Sequence, residues 1–152
     1  MMQLLIESDE QMQALGKRLA NTCEGGGMIH LDGDLGTGKT TLVRGMLRGL
    51  GHEGAVKSPT FTIVEPYDVA GRSIYHFDLY RLSDPEELEY MGGRDYFAPD
   101  NLCLVEWPDK GGQMLPTADL RVKLDHAGTS RDVTLSAGTE HGQNWLNGLD
   151  KN

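Results

Sequence analysis

Apolar positions recur with two periods along the chain, and they divide it into alternating helices and strands. Met12, Leu15, Leu19 and Cys23 follow Ser8 and Gln11, which have the spacing of a capping box, so residues 9–23 are predicted to form an amphipathic helix. The run EGGG at 24–27 ends that helix. MIHLD at 28–32 then predicts a short buried strand, and a helix follows from Lys39 to Leu50, stopped by GLGHEG. Two β-rich runs, 60–67 and 72–78, flank DVAG as a hairpin. Residues 84–93 read as a short helix with acids in its first turn, and 101–107 as a buried strand. The glycines and prolines of WPDKGGQMLP predict a loop. LRVKLDH and RDVTLSA then alternate around AGTS as a second hairpin, and QNWLNGLDKN supplies a last helical turn or two. This order implies an α/β domain with a parallel core sheet and antiparallel edge strands.

Composition narrows the picture. The 152 residues predict one domain spanning 1–152, and 38% hydrophobic with 24% charged residues are the proportions of a soluble globular protein. No run approaches the roughly 18 apolar residues of a membrane span. The start, MMQLLIESDEQ, has no secretory h-region, so Cys23 and Cys103, which form no CxxC, read as reduced thiols of a cytoplasmic protein without a zinc site. A net charge of −9 argues against direct, tight binding to DNA or RNA, because the average field repels a phosphate backbone. A role in a nucleic-acid pathway remains open through a partner that does the binding.

Candidate chemistry is concentrated in GDLGTGKTT, residues 33–41. Gly33, Gly38, Lys39 and Thr40 match G-x-x-x-x-G-K-[ST] between a strand and a helix, which identifies Gly33, Asp34, Leu35, Gly36, Thr37, Gly38, Lys39, Thr40 and Thr41 as a phosphate-binding loop. Glycines let backbone N–H groups turn onto phosphates, Lys39 reaches the β- and γ-phosphates, and the Thr40 hydroxyl holds Mg²⁺. Such a site also needs a carboxylate at the end of a buried strand. Glu106 and Asp78 both qualify; the cleaner apolar run before Glu106 gives it the magnesium, leaving Asp78 to orient water or sense the γ-phosphate. Thr60, in SPTFT, is the candidate for a mobile segment meeting the γ-phosphate. Trp107 leaves its strand beside the site, to wall the nucleotide or face a partner. His30 and His76 lack metal-ligand spacing and are expected at core or edge positions.

No N-K-x-D guanine reader is present, which favours ATP. Two rivals to an ATPase remain: a small-molecule kinase, although the arginines are dispersed and form no lid, and a module that binds ATP as a structural ligand. The stretches GDLGTGKTTLVRGML, VKSPTFTIVEPY, YHFDLYRLSDPEELEYMGGRDYF and LCLVEWP, with LP following, closely resemble the TsaE family over about Met28 to Pro116. That resemblance implies a three-layer P-loop NTPase-type fold and a weak ATPase for threonylcarbamoyladenosine modification of tRNA. It implies action with TsaB and TsaD, which would hold the RNA. It places Gly33 to Thr40 on the phosphates and magnesium on Thr40 and Glu106, and it gives functional weight to Thr60, Asp78 and Trp107. Arg131 resembles an arginine used at the nucleotide, and Thr37 stands where alanine is usual.

Overall fold

The structure is a computed structural model and describes residues 1–150, so Lys151 and Asn152 at the end of the expected C-terminal helix lie outside the described residues. The described residues form one seven-stranded sheet. Its strands are β1 (Met2–Ile6), β2 (Gly27–Asp32), β3 (Val64–Val69), β4 (Arg72–Asp78), β5 (Leu102–Glu106), β6 (Leu120–Ala127) and β7 (Ser130–Ala137), in the order β1-β7-β6-β2-β5-β4-β3. β6, β2, β5 and β4 run parallel, while β7 and β1 on one side and β3 on the other pair antiparallel. The expected parallel core with antiparallel edges is therefore present.

Helices α1 (Asp9–Thr22), α2 (Lys39–Leu50) and α5 (Glu140–Asp150) cover one face of the sheet. They bury Leu15, Leu19, Leu42, Val43, Met46 and Trp145 against Ile29, Leu31, Leu104 and Val122. Burial of each such side chain contributes roughly 1.5–3 kcal/mol. The other face carries a smaller third layer. There α3 (Glu86–Tyr90), α4 (Gly93–Tyr96) and a 3₁₀ segment (Pro108–Met114) accompany a second cluster of Met28, Phe77, Leu79, Leu88, Cys103 and Val105. Both thiols are buried and free, and burial pushes them up to about 12, so neither is a reactive thiolate.

α1 starts as its sequence dictates: the Ser8 side chain accepts from the Gln11 amide at 3.1 Å. Gln11 reaches back one residue further than a standard capping box, to the Glu7 amide at 2.8 Å. α1 and α2 cross with backbones in close approach. A Cβ on Gly16 would lie 2.4 Å from Leu42 O, and one on Gly45 would lie 2.3 Å from Gln13 O. Those two glycines set how closely the phosphate-loop helix lies against its neighbour.

Four elements differ from the sequence expectation. MQLLI forms the edge strand β1, because β7 offers it a full antiparallel register from Met2↔Leu135 to Ile6↔Arg131. The strand expected over 60–67 begins only at Val64: Ile63 N–H turns back to Pro59 O at 2.7 Å, and Ile63 itself has a left-handed φ of 70°. The WPDKGGQMLP stretch carries 3₁₀ turns from Pro108 to Met114. The last helix starts at Glu140 and is 11 residues long, not one or two turns.

Candidate functional site

All three parallel strands that carry candidate residues end on the same edge of the sheet. β2 runs into the glycine loop, β4 ends on Asp78 and β5 ends on Glu106, with Asp78 and Glu106 direct register partners. This is also where the chain leaves β2 between β5 and β6, a topological switch point of the kind at which α/β sheets bind ligands. A cleft of about 310 Å³ opens there. It is lined by Leu35, Gly36, Thr37, Gly38, Lys39, Thr40, Thr41, Thr60, Asp78, Glu106 and Trp107, together with Asp9 and Ser58, which the sequence did not single out. Of the expected site residues, only Gly33, Asp34 and Arg131 lie outside its lining.

The loop has the backbone that a phosphate cradle needs. Gly36 and Gly38 have φ of 75° and 102°, and no side chain caps the α2 N-terminus behind Gly38. A Cβ at Gly36 would meet nothing within 4 Å, so glycine is required there by backbone conformation. Gly33 is required by space: a Cβ would lie 2.6 Å from Leu124 O and 2.7 Å from Thr37 Oγ1. Thr37 is buried and its hydroxyl donates to Asp34 O at 2.8 Å, which fastens the turn of the loop. Two residues of the last hairpin brace the outside: Arg131 Nη2 donates to Gly36 O at 3.2 Å, and the His126 ring lies 3.3 Å from Leu35 O. Arg131 sits in β7 just past the hairpin turn and lines a separate groove of about 60 Å³ on the flank of the loop.

Lys39 is buried, and its Nζ donates to Gly33 O and, at 3.4 Å, to Asp34 O. The ammonium also lies 3.9 Å from the Trp107 ring centroid. Burial pulls its pKa below the usual lysine range, against the opposing pull of Glu106 and Asp78. Trp107 reaches this position through a left-handed backbone, φ 55° and ψ 53°, immediately after β5. That conformation costs about 1–3 kcal/mol in a non-glycine residue. The desolvated cation–π contact, worth about 2 kcal/mol, and the Tyr80 ring 4.9 Å away offset it.

Asp78 is buried, and burial raises its pKa, with the neighbouring Glu106 carboxylate acting in the same direction and the Tyr80 amide, 3.1 Å from Oδ1, opposing. Glu106 Oε2 accepts the Thr40 hydroxyl at 3.0 Å and lies 2.6 Å from His76 Nε2. Thr60 Oγ1 is paired with Ser58 Oγ at 2.7 Å, and both residues line the cleft. Among the described residues, no group of three or more His, Cys, Asp or Glu side chains could cage a metal. One hydroxyl and one carboxylate fit magnesium in its phosphate-bound form, which takes few protein ligands and completes its shell with water and substrate oxygens.

The model of the family described as "Threonylcarbamoyl adenosine biosynthesis protein TsaE" matches residues 6–133. The chain belongs to the TsaE family. It is 60% identical over 117 residues to a Haemophilus influenzae protein named tRNA threonylcarbamoyladenosine biosynthesis protein TsaE, covering 77% of this chain and 74% of that one. Over 129 residues it is 39% identical to the Bacillus subtilis protein of the same name, covering 84% and 80% of the two chains. The crystal structure of Bacillus subtilis YdiB superposes with a TM-score of 0.82 at 30% identity, covering 99% of this chain and 94% of that one. The likeness takes in the sheet and the P-loop NTPase-type architecture together.

Within this TsaE fold the residue that sequence reasoning undervalued is His76. It is a core position as expected, and it also touches the site through Glu106. The available signal was its place two residues before Asp78 on one strand, which puts both side chains on the same face. His30 is half-buried on the opposite face of β2, away from the cleft.

Proposed function

We propose that the chain is a P-loop ATPase serving threonylcarbamoyladenosine modification of tRNA, and that it acts with TsaB and TsaD. One observation carries the ATPase reading. The buried polar side chains among the described residues are Thr37, Lys39, His76, Asp78 and Glu106, and all of them lie at the P-loop end of the sheet. Burying two carboxylates and an ammonium costs several kcal/mol of desolvation, and a fold retains such a cluster where a charged ligand completes it. The names carried by its relatives support the pathway.

In this reading the loop amides of residues 36–41 cradle the β-phosphate, and Lys39 exchanges its loop carbonyls for β- and γ-oxygens. Thr40 and Glu106 hold Mg²⁺, which when bound supplies positive charge against the phosphate oxygens. Asp78, on the neighbouring strand end, orients the attacking water, and Thr60 engages the γ-phosphate. Trp107 and Tyr80 wall the site. Arg131 supports the loop from outside and borders the nucleoside end. The net charge of −9 suits a subunit that leaves tRNA binding to its partners and works in the cytoplasm, and no described helix is long and apolar enough to cross a membrane.

Phosphate release from ATP, by the chain alone and then with TsaB and TsaD, tests this reading. Slow release that rises with the pair is expected. Release indifferent to the pair, with phosphate transferred to a small hydroxylated metabolite, makes the chain a kinase.

A further inference from the structure

His76 is fully buried, yet its Nδ1 has no hydrogen-bond partner, and its Nε2 lies 2.6 Å from Glu106 Oε2. In the β4–β5 register it stands beside Leu104, one pleat below the Asp78–Glu106 pair. A leucine or phenylalanine would fill that space without orphaning a polar atom, an omission that costs about 1–3 kcal/mol. The imidazole is therefore a poor choice for packing alone. What it adds is a donor to Glu106, because a carboxylate oxygen only accepts and Nε2 must carry the proton.

Glu106 Oε2 receives two bonds, from His76 and from the Thr40 hydroxyl at 3.0 Å. Two consequences follow. Oε2 is saturated, so Oε1, which receives no hydrogen bond from the described residues, is the oxygen left for the cleft that Glu106 lines. The Thr40 hydroxyl also spends its proton on Glu106, which turns its lone pairs away from that carboxylate.

We propose that His76 is a positioning residue of the magnesium site: its Nε2–H clamps Glu106 Oε2, and that clamp presents Glu106 Oε1 and the Thr40 lone pairs to the metal. The inference rests on the P-loop ATPase reading and assigns a role in it to a residue outside the cleft. Partners behind the ligating atoms typically change metal affinity by about 10–100-fold.

The test compares His76→Leu, which keeps volume and removes the donor, with His76→Gln, whose amide can restore a donor near Nε2. ADP affinity is measured in chelator, and Mn²⁺ affinity of the ADP-loaded chain is read from loss of the free-ion electron paramagnetic resonance signal. His76→Leu is expected to keep metal-free ADP affinity within about twofold while weakening Mn²⁺ by about tenfold, and His76→Gln to recover most of that loss. Wild-type Mn²⁺ affinity in a folded His76→Leu chain overturns the proposal. So does an equal loss of metal-free ADP binding, which would make His76 structural, and so does a His76→Gln chain that folds but is no better than His76→Leu. A wild-type chain that binds neither ADP nor Mn²⁺ rejects the ATPase reading itself, a result distinct from all of these.

Discussion

The two ends of the parallel strands make a controlled comparison within one molecule. At the amino ends of β2 and β5 lies the larger cavity, about 510 Å³, bordered by Gly26, Phe97, Pro99, Cys103, Asp119 and His141. Its acidic, amide and imidazole side chains are already employed, Asn101 on the carbonyls of Asp95 and Tyr96. Asp119 accepts from the Met28 amide and from Thr139, and His141 bonds Gly26 O and lies against Trp145. At the carboxyl ends lies the smaller cleft, about 310 Å³, with a buried ammonium, two buried carboxylates and a left-handed tryptophan. Under the proposed function, size points to the wrong end, and desolvated charge and strained backbone point to the end where the nucleotide would bind.

The strongest way to break the comparison is Lys39→Ala, which removes the buried cation of the smaller cleft. It should weaken ADP and ATP by about a hundredfold, the worth of two or so charge-assisted hydrogen bonds, while Thr117→Ala in the larger cavity leaves affinity within about twofold. Equal losses in the two variants, by titration calorimetry, would erase the distinction. Glu106→Ala should raise the magnesium concentration needed for nucleotide binding by about thirtyfold; an unchanged magnesium titration would transfer the metal to Asp78. Thr60→Ala should keep ADP affinity and slow turnover by about tenfold, a loss of roughly 1.4 kcal/mol in the transition state. A matching loss of ADP binding would make Thr60 part of the loop's architecture only.

The smallest effect is on stability. Burial raises the folded-state pKa of Asp78, so its favourable share of stability is present below the unfolded value, near about pH 4, and is lost as pH rises through the folded value. In nucleotide-free, metal-free protein, Asp78→Asn should therefore melt a few degrees higher than wild type at about pH 7, and the gap should shrink below about pH 4. A gap that widens on acidification reverses the sign and contradicts the burial argument.

Local pattern made the smaller cleft legible and left its cross-links hidden. The strand, glycine loop and helix around Lys39 are contiguous, so spacing alone locates the loop proposed to cradle phosphate. Asp78 and Glu106 are readable as acids ending apolar runs. Their side-by-side register is not, because it depends on β4 and β5 pairing across the 23 residues between them (79–101). The same dependence hides His76 from Glu106. The braces from Arg131 and His126 were out of reach for a related reason: β6 must first lie beside β2 before its hairpin can meet the loop. β1 escaped notice because β7, its strand partner among the described residues, is more than a hundred residues away. The left-handed turn at Ile63, which ends the expected strand early, hands its carbonyl to the Asp78 amide at 2.9 Å, so that departure from pattern is part of how the site is built.

The two tryptophans stand at opposite ends of the sheet, Trp107 over Lys39 and Trp145 beside the larger cavity against His141. Fluorine resonances of 5-fluorotryptophan in the wild-type chain, followed during an ADP–Mg²⁺ titration, therefore report both ends at once. The resonance missing from Trp107→Phe should shift saturably while the other stays in place. Movement of the Trp145 resonance alone would put the nucleotide at the larger cavity and contradict the account.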